Sequence, residues 1–345
     1  MTQTIPIQNI YYLLIYSWDR LAEGDLVDVS GIDSTELVDL YAAVLLNGLR
    51  HLVRRGLDQS YLSVANEIPG IRGRVNIAVT ARRMLAQHGR AYCEYDELSV
   101  DTLPNRLLLA TVSRLANADG LESGLRDQLR AMGRTLGGIS RIQLSKQGFR
   151  LVQLHSNNGF YRFLLSLCEL VFDTSIATEQ HGSYRFRDFV RDPVRMAQLF
   201  ERFAFNFYGR ECPEWRVKRE RINWTAESTD DPELLFLPTM QTDISIRKPN
   251  GTLIVDAKYY QETLQRHFGS EAVHSSNLYQ MFSYLKNLEV RGGLDAVAEG
   301  MLLYPVVDRQ VRLQYKISGH MIRICTVDLG QDWKAIREEL LELVA

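Results

Sequence analysis

Two aspartates and a lysine stand at the ends of neighbouring predicted strands in the carboxy-terminal half of the chain. A strand over 242–247 carries Asp243, and the strand after the next turn, 252–255, runs directly into Asp256 and Lys258. Carboxylate oxygens are the ligands that Mg²⁺ prefers, and a nearby ammonium can orient a water or neutralise charge on a phosphate. The pattern indicates metal-assisted phosphodiester hydrolysis, with an aspartate-lysine salt bridge as the structural alternative.

The pairing of these two strands decides whether the three side chains meet. Side chains alternate along a strand, so Asp256 and Lys258 share one face. If the hairpin loop has two or four residues, Asp243 faces either Lys258 or Asp256, and in both registers it joins them on that face. A loop of odd length or a bulge would separate them.

Two predicted helices flank the hairpin in sequence. Asp192 followed by a proline is a helix-start signal, and Glu201 lies on that helix beside its apolar stripe. A later helix begins after a pair of serines and carries Gln280 and Tyr284, which stack on one side because they are four residues apart. An amide and a phenol in this position can hydrogen-bond a phosphate or hold Lys258 in place.

Composition limits the function of the chain. Its 345 residues contain 40 Lys and Arg against 42 Asp and Glu, so no overall positive field attracts DNA, and any DNA contact must be local or shared with a partner. No G-x-x-x-x-G-K-[ST] phosphate loop is present, so this chain alone should not hydrolyse a nucleoside triphosphate through one. H-E-x-x-H and G-x-S-x-G motifs are also absent.

The cysteines and the amino terminus predict a cytoplasmic protein. Cys93, Cys168, Cys212 and Cys325 are too far apart for a zinc clamp or a small disulfide framework, so we expect reduced thiols in the core. The apolar run over 10–15 has no preceding basic residue and is too short to span a bilayer. It is typical of a buried helix, and no membrane association is expected.

The chain length predicts two domains. Residues 1–155 mix helical and strand patterns, which predicts an α+β domain, and residues 160–345 would form the second domain. The polar stretch 156–159 is the predicted linker, and the aromatic-rich segment 160–172 is predicted to pack as a helix on the second domain. Between residues 50 and 90 there are eight arginines and two acids, which indicates either a solvated basic face or a surface that faces an anion or a partner.

The order of helix glutamate, strand aspartate, D-x-K strand and Q-x-x-x-Y helix resembles the PD-(D/E)xK nuclease superfamily, in particular its exonuclease-like branch. The resemblance implies a restriction-endonuclease-like α/β domain with a mixed central sheet flanked by helices. Pro238 stands where the loosely kept proline of the family would be, but five residues before Asp243 instead of next to it. This departure is tolerable because the proline has no chemical role.

The same resemblance assigns roles to the candidate residues. Asp243 and Asp256 would be ligands of Mg²⁺, and Lys258 would orient the attacking water. Glu201 would be a helix carboxylate that reaches the metal through water. The accessory positions would be Gln280 and Tyr284.

A second resemblance extends over most of the chain. Several unrelated blocks occur in the order NIYYLL, RRGL, IPGIRGR, DTLPNR, LIVDAKYY and NLYQ. They resemble the McrC family, the nuclease subunits of McrBC modified-cytosine restriction systems. This resemblance implies a subunit that cuts double-stranded DNA only when assembled with McrB, a hexameric AAA+ GTPase that binds the GTP and recognises methylated sites. Cutting both strands needs two active sites, which predicts a transient dimer of the nuclease subunit.

In McrC-like proteins the amino-terminal half engages the GTPase ring and stimulates hydrolysis, so Arg72 and Arg74 are the predicted partner contacts. An alternative is that the neighbouring glycines simply make tight turns and that Arg106 pairs internally with Asp101. Two other functions stay open. The chain could be a stand-alone repair or processing nuclease of the same fold, or a non-catalytic adaptor whose acids only stabilise a hairpin.

Overall fold

The structure is a computed structural model, and it describes residues 5–29, 34, 36–155, 158–178, 183–260, 265–267, 270–307 and 309–345. The chain divides into two compact units. The sheet unit comprises residues 1–25, 30–37 and 188–345, and the ribbon unit comprises residues 26–29 and 38–187. Residues 156 and 157 of the predicted linker lie outside the described residues.

The elements follow one another along the chain in a mixed order. The helices are α1 (Ile7–Ser17), α2 (Leu21–Gly24), α3 (Leu37–Arg55), α4 (Ile77–Arg82), α5 (Leu103–Ala116), α6 (Ser123–Thr135), α7 (Lys146–Arg150), α8 (Gly159–Thr174), α9 (Pro193–Glu211), α10 (Ser275–Glu289) and α11 (Trp333–Glu342). The strands are β1 (Ser60–Pro69), β2 (Arg74–Val75), β3 (Arg90–Ser99), β4 (Ser175–Ala177), β5 (Tyr184–Phe186), β6 (Arg216–Lys218), β7 (Arg221–Ile222), β8 (Met240–Gln241), β9 (Ile244–Lys248), β10 (Gly251–Ala257), β11 (Gln265–His267), β12 (Ser270–Ala272), β13 (Glu299–Pro305), β14 (Arg312–Ile317) and β15 (His320–Val327).

The ribbon unit combines a helical core with a long antiparallel ribbon. Strands β1 and β3 pair over their full length, and β2 pairs with the other side of β3. Most residues of β1 are exposed, so the ribbon contributes little to the core. The helices approach one another closely, since a Cβ added to Gly48 of α3 would lie 2.4 Å from Leu164 of α8. This unit has the α+β class predicted for the amino-terminal half.

Helix α8 packs in the ribbon unit, so the prediction that segment 160–172 packs on the second domain is wrong. The Tyr161 hydroxyl donates to Asn105 Oδ1 at 2.8 Å and accepts from the Asp58 amide at 2.7 Å. The unit ends after residue 187 instead of at the predicted linker. The apolar face of α8 packs against residues earlier in the chain, as the Tyr161 contacts with Asn105 and Asp58 show.

Helix α1 belongs to the sheet unit, which also departs from the predicted boundary of residues 1–155. Tyr12 stacks on Trp333 with ring centroids 4.5 Å apart, and Asn9 donates to the carbonyls of Leu329 and Gln331, each at 2.8 Å. The side-chain amide of Asn206 in α9 also donates to the backbone carbonyl of Tyr16 in α1 at 2.9 Å. The buried helix predicted over 10–15 is present, but its partners lie 190 to 322 residues further along the chain.

A six-stranded mixed sheet forms the centre of the sheet unit, with the order β14, β15, β13, β10, β9, β6. The central strands β10, β13 and β15 run parallel, and the remaining neighbours pair antiparallel. Every residue of β10 after Gly251 is buried, as expected for a strand covered on both faces. The fold is therefore a mixed α/β sheet flanked by helices, as predicted for this part of the chain.

Helix α10 covers the face of the sheet that carries Ile254 and Leu302. Its buried residues in this cluster are Met281, Tyr284, Leu285 and Leu288. A Cβ on Gly300 of β13 would lie 2.6 Å from the Met281 sulfur, so a glycine is required for this close approach. This packing fixes the distance between α10 and β13 at Gly300, which pairs with Ile254 of β10.

An ion-pair network ties the sheet edge to the loop before β13. Arg247 of β9 donates two hydrogen bonds to Glu220, at 2.6 and 2.8 Å, and two to Asp295, at 2.9 and 3.1 Å. Thr252 also donates to Asp295 at 2.8 Å. The hydrogen bonds from Arg247 lower the pKa of Glu220 to about 2. The pairing is bidentate on both carboxylates, which is the strongest geometry for an arginine.

This network predicts a pH-dependent contribution to stability. The pKa of Glu220 in the folded protein lies below its ordinary value of 4.5. The contribution of the ionised Glu220 to the free energy of unfolding is therefore complete above pH 4.5 and is lost as pH falls towards 2. We expect Glu220→Gln to lower the free energy of unfolding by about 2 kcal/mol at pH 7 and by clearly less at pH 3. Urea unfolding at both pH values measures this, with the exposed Glu338→Gln as control. Equal losses at both pH values would contradict it.

Two further sequence predictions concern the whole chain. The cysteines are free thiols and all four are buried, as predicted. Within the described ranges, no helix combines the length and the apolar character needed to cross a bilayer.

Candidate active site

The hairpin of β9 and β10 has a two-residue connection, and Lys248 pairs with Gly251. The same register pairs Ile244 with Val255, so its continuation by one residue places Asp243 opposite Asp256. This is one of the two registers predicted by counting. Both aspartates therefore lie on the face of the sheet that α10 covers.

Asp243, Asp256 and Lys258 come together at the end of this hairpin. Lys258 Nζ lies 3.1 Å from Asp256 Oδ1 and 3.6 Å from Asp243 Oδ2. The amide of Ala257 donates to Asp243 Oδ2 at 3.2 Å, which holds the Asp243 carboxylate against the end of β10. The structure thus assembles two carboxylates and one ammonium from three positions that the sequence singled out.

Asp256 is the most deeply buried of the three. Its side chain has no exposed surface, whereas 16% of the Asp243 side chain and 23% of the Lys258 side chain remain exposed. Burial is the main reason that the pKa of Asp256 rises to about 7; Lys258 opposes this rise and Asp243 adds to it. Burial alone would lower the pKa of Lys258, but the two facing carboxylates outweigh it and raise that pKa above its ordinary value.

The carboxylate of Asp256 has unused acceptor capacity. Among the described residues, no group donates a well-aligned hydrogen bond to either of its oxygens, although Lys258 lies within ion-pair distance. Buried carboxylate oxygens are normally hydrogen-bonded or coordinate a metal. This donor set, with Asp243 beside it, fits a hard divalent cation.

The protein supplies only part of such a coordination sphere. In the part of the chain that the structure describes, no group of three or more His, Cys, Asp or Glu residues is arranged to hold a metal ion. Mg²⁺ is commonly bound by one or two carboxylates, with waters and substrate phosphate oxygens as its other ligands. Asp243 and Asp256 match that mode of binding.

Glu201 does not join this group and instead forms an ion pair with Arg219. Arg219 Nη2 lies 2.8 Å from Glu201 Oε1, and its guanidinium also lies over the ring of Phe205. Next to Arg219, the Glu220 carbonyl accepts from the Thr242 amide at 2.9 Å, so the pair lies along the sheet edge near the start of β9. The contact of Glu201 with a metal through water stays a prediction.

Gln280 and Tyr284 stack on α10 as predicted, and they contact the strand that leads to Asp243. Gln280 Nε2 donates to the Tyr284 hydroxyl at 2.7 Å, and that hydroxyl donates to the carbonyl of Gln241 at 2.9 Å. Burial raises the pKa of Tyr284, and the charges of Asp256 and Asp243 raise it further. These two side chains therefore fix the backbone two residues before Asp243.

Sequence reasoning did not find Tyr304, a buried phenol on the strand next to Lys258. The Lys258 amide donates to the carbonyl of Leu303 at 2.9 Å, which places Tyr304 beside Lys258 in the parallel pair. The Asn277 amide donates to the Tyr304 hydroxyl at 3.0 Å. Tyr304 lies in an apolar strand that is typical of core, and only the pairing of β10 with β13 reveals its position.

The predicted partner contacts Arg72 and Arg74 lie on the ribbon unit, and both are exposed. The Arg72 guanidinium lies 4.4 Å from the centroid of the Tyr95 ring. Gly73 between them has φ +67°, and a Cβ there would lie 2.4 Å from the carbonyl of Glu94, so only glycine fits this turn.

For Arg106 the alternative interpretation is correct. It donates to both carboxylate oxygens of Asp101, at 2.7 and 2.9 Å. This pair organises a loop inside the ribbon unit, because the Asp101 carboxylate also accepts from Ser140. Arg106 is thus engaged internally.

Comparison with known proteins places the chain in a family. The model of the family described as "McrBC 5-methylcytosine restriction system component" matches residues 12–305, a range that includes all of the candidate residues above. The chain belongs to this family. It is also 40% identical over 339 residues to the "Type IV methyl-directed restriction enzyme EcoKMcrBC" of Escherichia coli K12, covering 98% of this chain and 97% of that protein.

A solved structure supports the fold of this McrBC family member. That structure is the "Refined half-complex from tetradecameric assembly of Thermococcus gammatolerans McrB AAA+ hexamers with bound McrC". The match has a TM-score of 0.61 at 18% identity and covers 98% of this chain and 77% of the other. At this identity the likeness concerns the fold.

Proposed function

We propose that this chain is the nuclease subunit of a McrBC-type restriction complex and that it hydrolyses phosphodiester bonds in double-stranded DNA with Mg²⁺. The observation that carries the proposal is the buried Asp256 carboxylate, which faces Asp243 and Lys258 and has unused acceptor capacity. We assign the sheet unit to the PD-(D/E)xK nuclease fold on the basis of this D-x-K hairpin and the α10 helix beside it.

Each residue of the site has a separate proposed role in hydrolysis. Asp243 and Asp256 would hold Mg²⁺, with Glu201 as a candidate ligand through water. Bound there, Mg²⁺ would supply Lewis-acid stabilisation and an acidified water. Lys258, within reach of both carboxylates, orients the attacking water and neutralises charge that develops on the phosphate.

Helix α10 holds the backbone that carries Asp243 through hydrogen bonds. Tyr284 and Gln280 hold the backbone before Asp243, so that its carboxylate stays directed at the end of β10. A fixed geometry matters because catalytic groups that are displaced by about 1 Å lose much of their effect. We therefore assign Tyr284 and Gln280 to positioning.

GTP hydrolysis and recognition of the DNA site would come from a partner protein. The chain has no phosphate loop and a formal net charge of only −2, so GTP binding and most DNA attraction must be supplied elsewhere. The related solved structure contains McrB AAA+ hexamers with bound McrC. We propose that this chain likewise docks on an McrB-like hexamer, which binds GTP and recognises methylcytosine, and that two nuclease subunits act together on the two DNA strands.

The exposed turn around Gly73 would contribute to this docking. We expect the double substitution Arg72→Ala and Arg74→Ala to reduce stimulation of the partner GTPase by about thirtyfold at limiting chain concentration, since each of the two lost charged contacts costs about 1 kcal/mol. GTP hydrolysis measured at rising concentrations of the chain gives the result. Arg106→Ala is unsuitable as a control because it breaks an internal ion pair, so the exposed Arg150→Ala serves instead. Equal stimulation by both variants would remove Arg72 and Arg74 from the interface.

Reconstitution tests the proposed function. The wild-type chain, the partner GTPase, GTP, Mg²⁺ and methylated DNA should give double-strand cleavage, and Asp243→Asn should stop cleavage while GTPase stimulation continues. Cleavage by the chain without any GTPase would favour the stand-alone nuclease. If wild type and Asp243→Asn cleave equally, the non-catalytic adaptor is favoured. The same holds if neither cleaves with any divalent metal.

A further inference from the structure

A group of polar side chains is buried behind Lys258, on the side of the first turn of α10. Tyr304 of β13 is 1% exposed and Asn277 of α10 is 4% exposed. The amide nitrogen of Asn277 donates to the Tyr304 hydroxyl at 3.0 Å, and its amide oxygen accepts from the Tyr260 hydroxyl at 3.1 Å. A single amide thus joins the two phenols through hydrogen bonds.

Tyr260 is fixed in turn by its ring contacts. Its ring stacks on His274 with centroids 4.4 Å apart and lies 6.0 Å from the ring of Tyr304. His274 directly precedes α10, and Tyr260 follows Lys258 by two residues. The phenol group therefore connects the end of the D-x-K strand with the start of α10.

Strand pairing places this group beside the lysine. The Lys258 amide donates to the carbonyl of Leu303, and the preceding pairs of β10 and β13 continue in register up to that point. Tyr304 consequently lies next to Lys258 on the face that α10 covers. The charges of Asp256 and Lys258 also influence the Tyr304 hydroxyl, whose pKa burial raises to about 12.

We infer that Tyr304 is a positioning residue for Lys258, and that Asn277 and Tyr260 hold the Tyr304 hydroxyl in place. The inference rests on the proposed nuclease function and adds residues to the same site. With 1% of its surface exposed, Tyr304 is too buried to touch DNA. Because Lys258 is its neighbour in the paired strand, we expect loss of the Tyr304 hydroxyl to change the chemical step more than DNA binding.

The test is Tyr304→Phe, which removes one oxygen and keeps the ring. We expect the single-turnover cleavage rate of the assembled complex to fall by about tenfold, with DNA affinity and GTPase stimulation changed by less than about twofold. Tyr208→Phe is the matched control, because Tyr208 is also a fully buried phenol of the sheet unit and donates to the carbonyl of Leu340 at 3.2 Å. The control should cleave at the wild-type rate.

A double-mutant cycle tests the link through Asn277. If Asn277 acts through the Tyr304 hydroxyl, Asn277→Ala combined with Tyr304→Phe should cleave no more slowly than the slower single variant. Independent, multiplying losses would overturn that link. Wild-type cleavage by Tyr304→Phe, or an equal loss in Tyr208→Phe, would overturn the role of Tyr304.

These outcomes are separate from failure of the proposed function itself. If Lys258→Ala cleaves like wild type, the nuclease assignment fails and the inference fails with it. If Lys258→Ala stops cleavage while Tyr304→Phe does not slow it, only the positioning role of Tyr304 is wrong.

Discussion

Asp256→Asn should slow DNA cleavage by the assembled complex by about 10³-fold or more while GTPase stimulation stays at the wild-type level. The substitution keeps the shape of the side chain but removes the negative charge that would face the metal. Asp256 is fully buried, so the loss cannot be attributed to a DNA contact made by its side chain. Single-turnover cleavage of methylated DNA and GTP hydrolysis in the same preparation give both values.

The same substitution should stabilise the metal-free protein. The pKa of Asp256 is raised to about 7, so above pH 7 the folded protein carries a buried charge at an energetic cost. In EDTA at pH 8, Asp256→Asn should therefore unfold at higher urea concentration than wild type, and this advantage should shrink as pH falls below 7. Unchanged cleavage, or a variant that is unfolded in EDTA, would contradict the assignment.

Lys258→Ala should combine a loss of cleavage with a loss of stability. In the proposed mechanism Lys258 orients the attacking water, so we expect its loss to reduce cleavage by about 10²- to 10⁴-fold. The remaining carboxylates lose their only close cation among the described residues, which should lower the free energy of unfolding in EDTA by about 2–3 kcal/mol. Cleavage assays and urea unfolding measure the two effects separately.

A second substitution separates catalysis from folding. Lys258→Ala together with Asp256→Asn removes the uncompensated buried charge, so the double variant should recover much of the lost stability. It should remain inactive, because both the proposed metal ligand and the proposed water-orienting group are gone. Recovery of cleavage together with stability would contradict both proposed roles and leave Asp256 and Lys258 as a structural ion pair.

Local signals in the sequence are sufficient to predict the elements around the site. Asp192 caps α9 as predicted, since its carboxylate accepts from the amides of Val194 and Arg195 at 3.0 and 3.2 Å. Alternation along one strand places Asp256 and Lys258 on one face, and a hairpin loop of two or four residues adds Asp243 to that face; the observed register is one of these two. Both inferences depend on neighbours in sequence, for which spacing and geometry are directly related.

Contacts between distant parts of the chain could not be predicted in this way. Helix α1 looks the same in sequence whether it packs on the ribbon unit or on Trp333, and composition did not reveal that α8 pairs with Asn105. The position of Tyr304 beside Lys258 was also not predicted, because it depends on the parallel pairing of β10 with β13. The spacing of residues along the sequence contains no information on that pairing.

The ion pair of Glu201 with Arg219 illustrates the same limit at the site. The sequence predicts Glu201 on a helix, and α9 confirms this, but the cation that pairs with it, Arg219, follows β6 and is not predicted by the spacing. The Glu201 side chain is 30% exposed, so its ion pair with Arg219 can exchange for another partner. Which partner it contacts when metal and DNA are bound depends on the charges that they bring.

The most direct test is the position of a divalent cation in crystals of the chain grown with Mn²⁺ and measured at an anomalous wavelength. We predict a Mn²⁺ peak within about 2.0–2.3 Å of a carboxylate oxygen of both Asp243 and Asp256, with Lys258 directed at its water ligands. Ordered Mn²⁺ bound elsewhere, with both aspartates still paired only to Lys258, would contradict the assignment of this hairpin as a metal-dependent nuclease site.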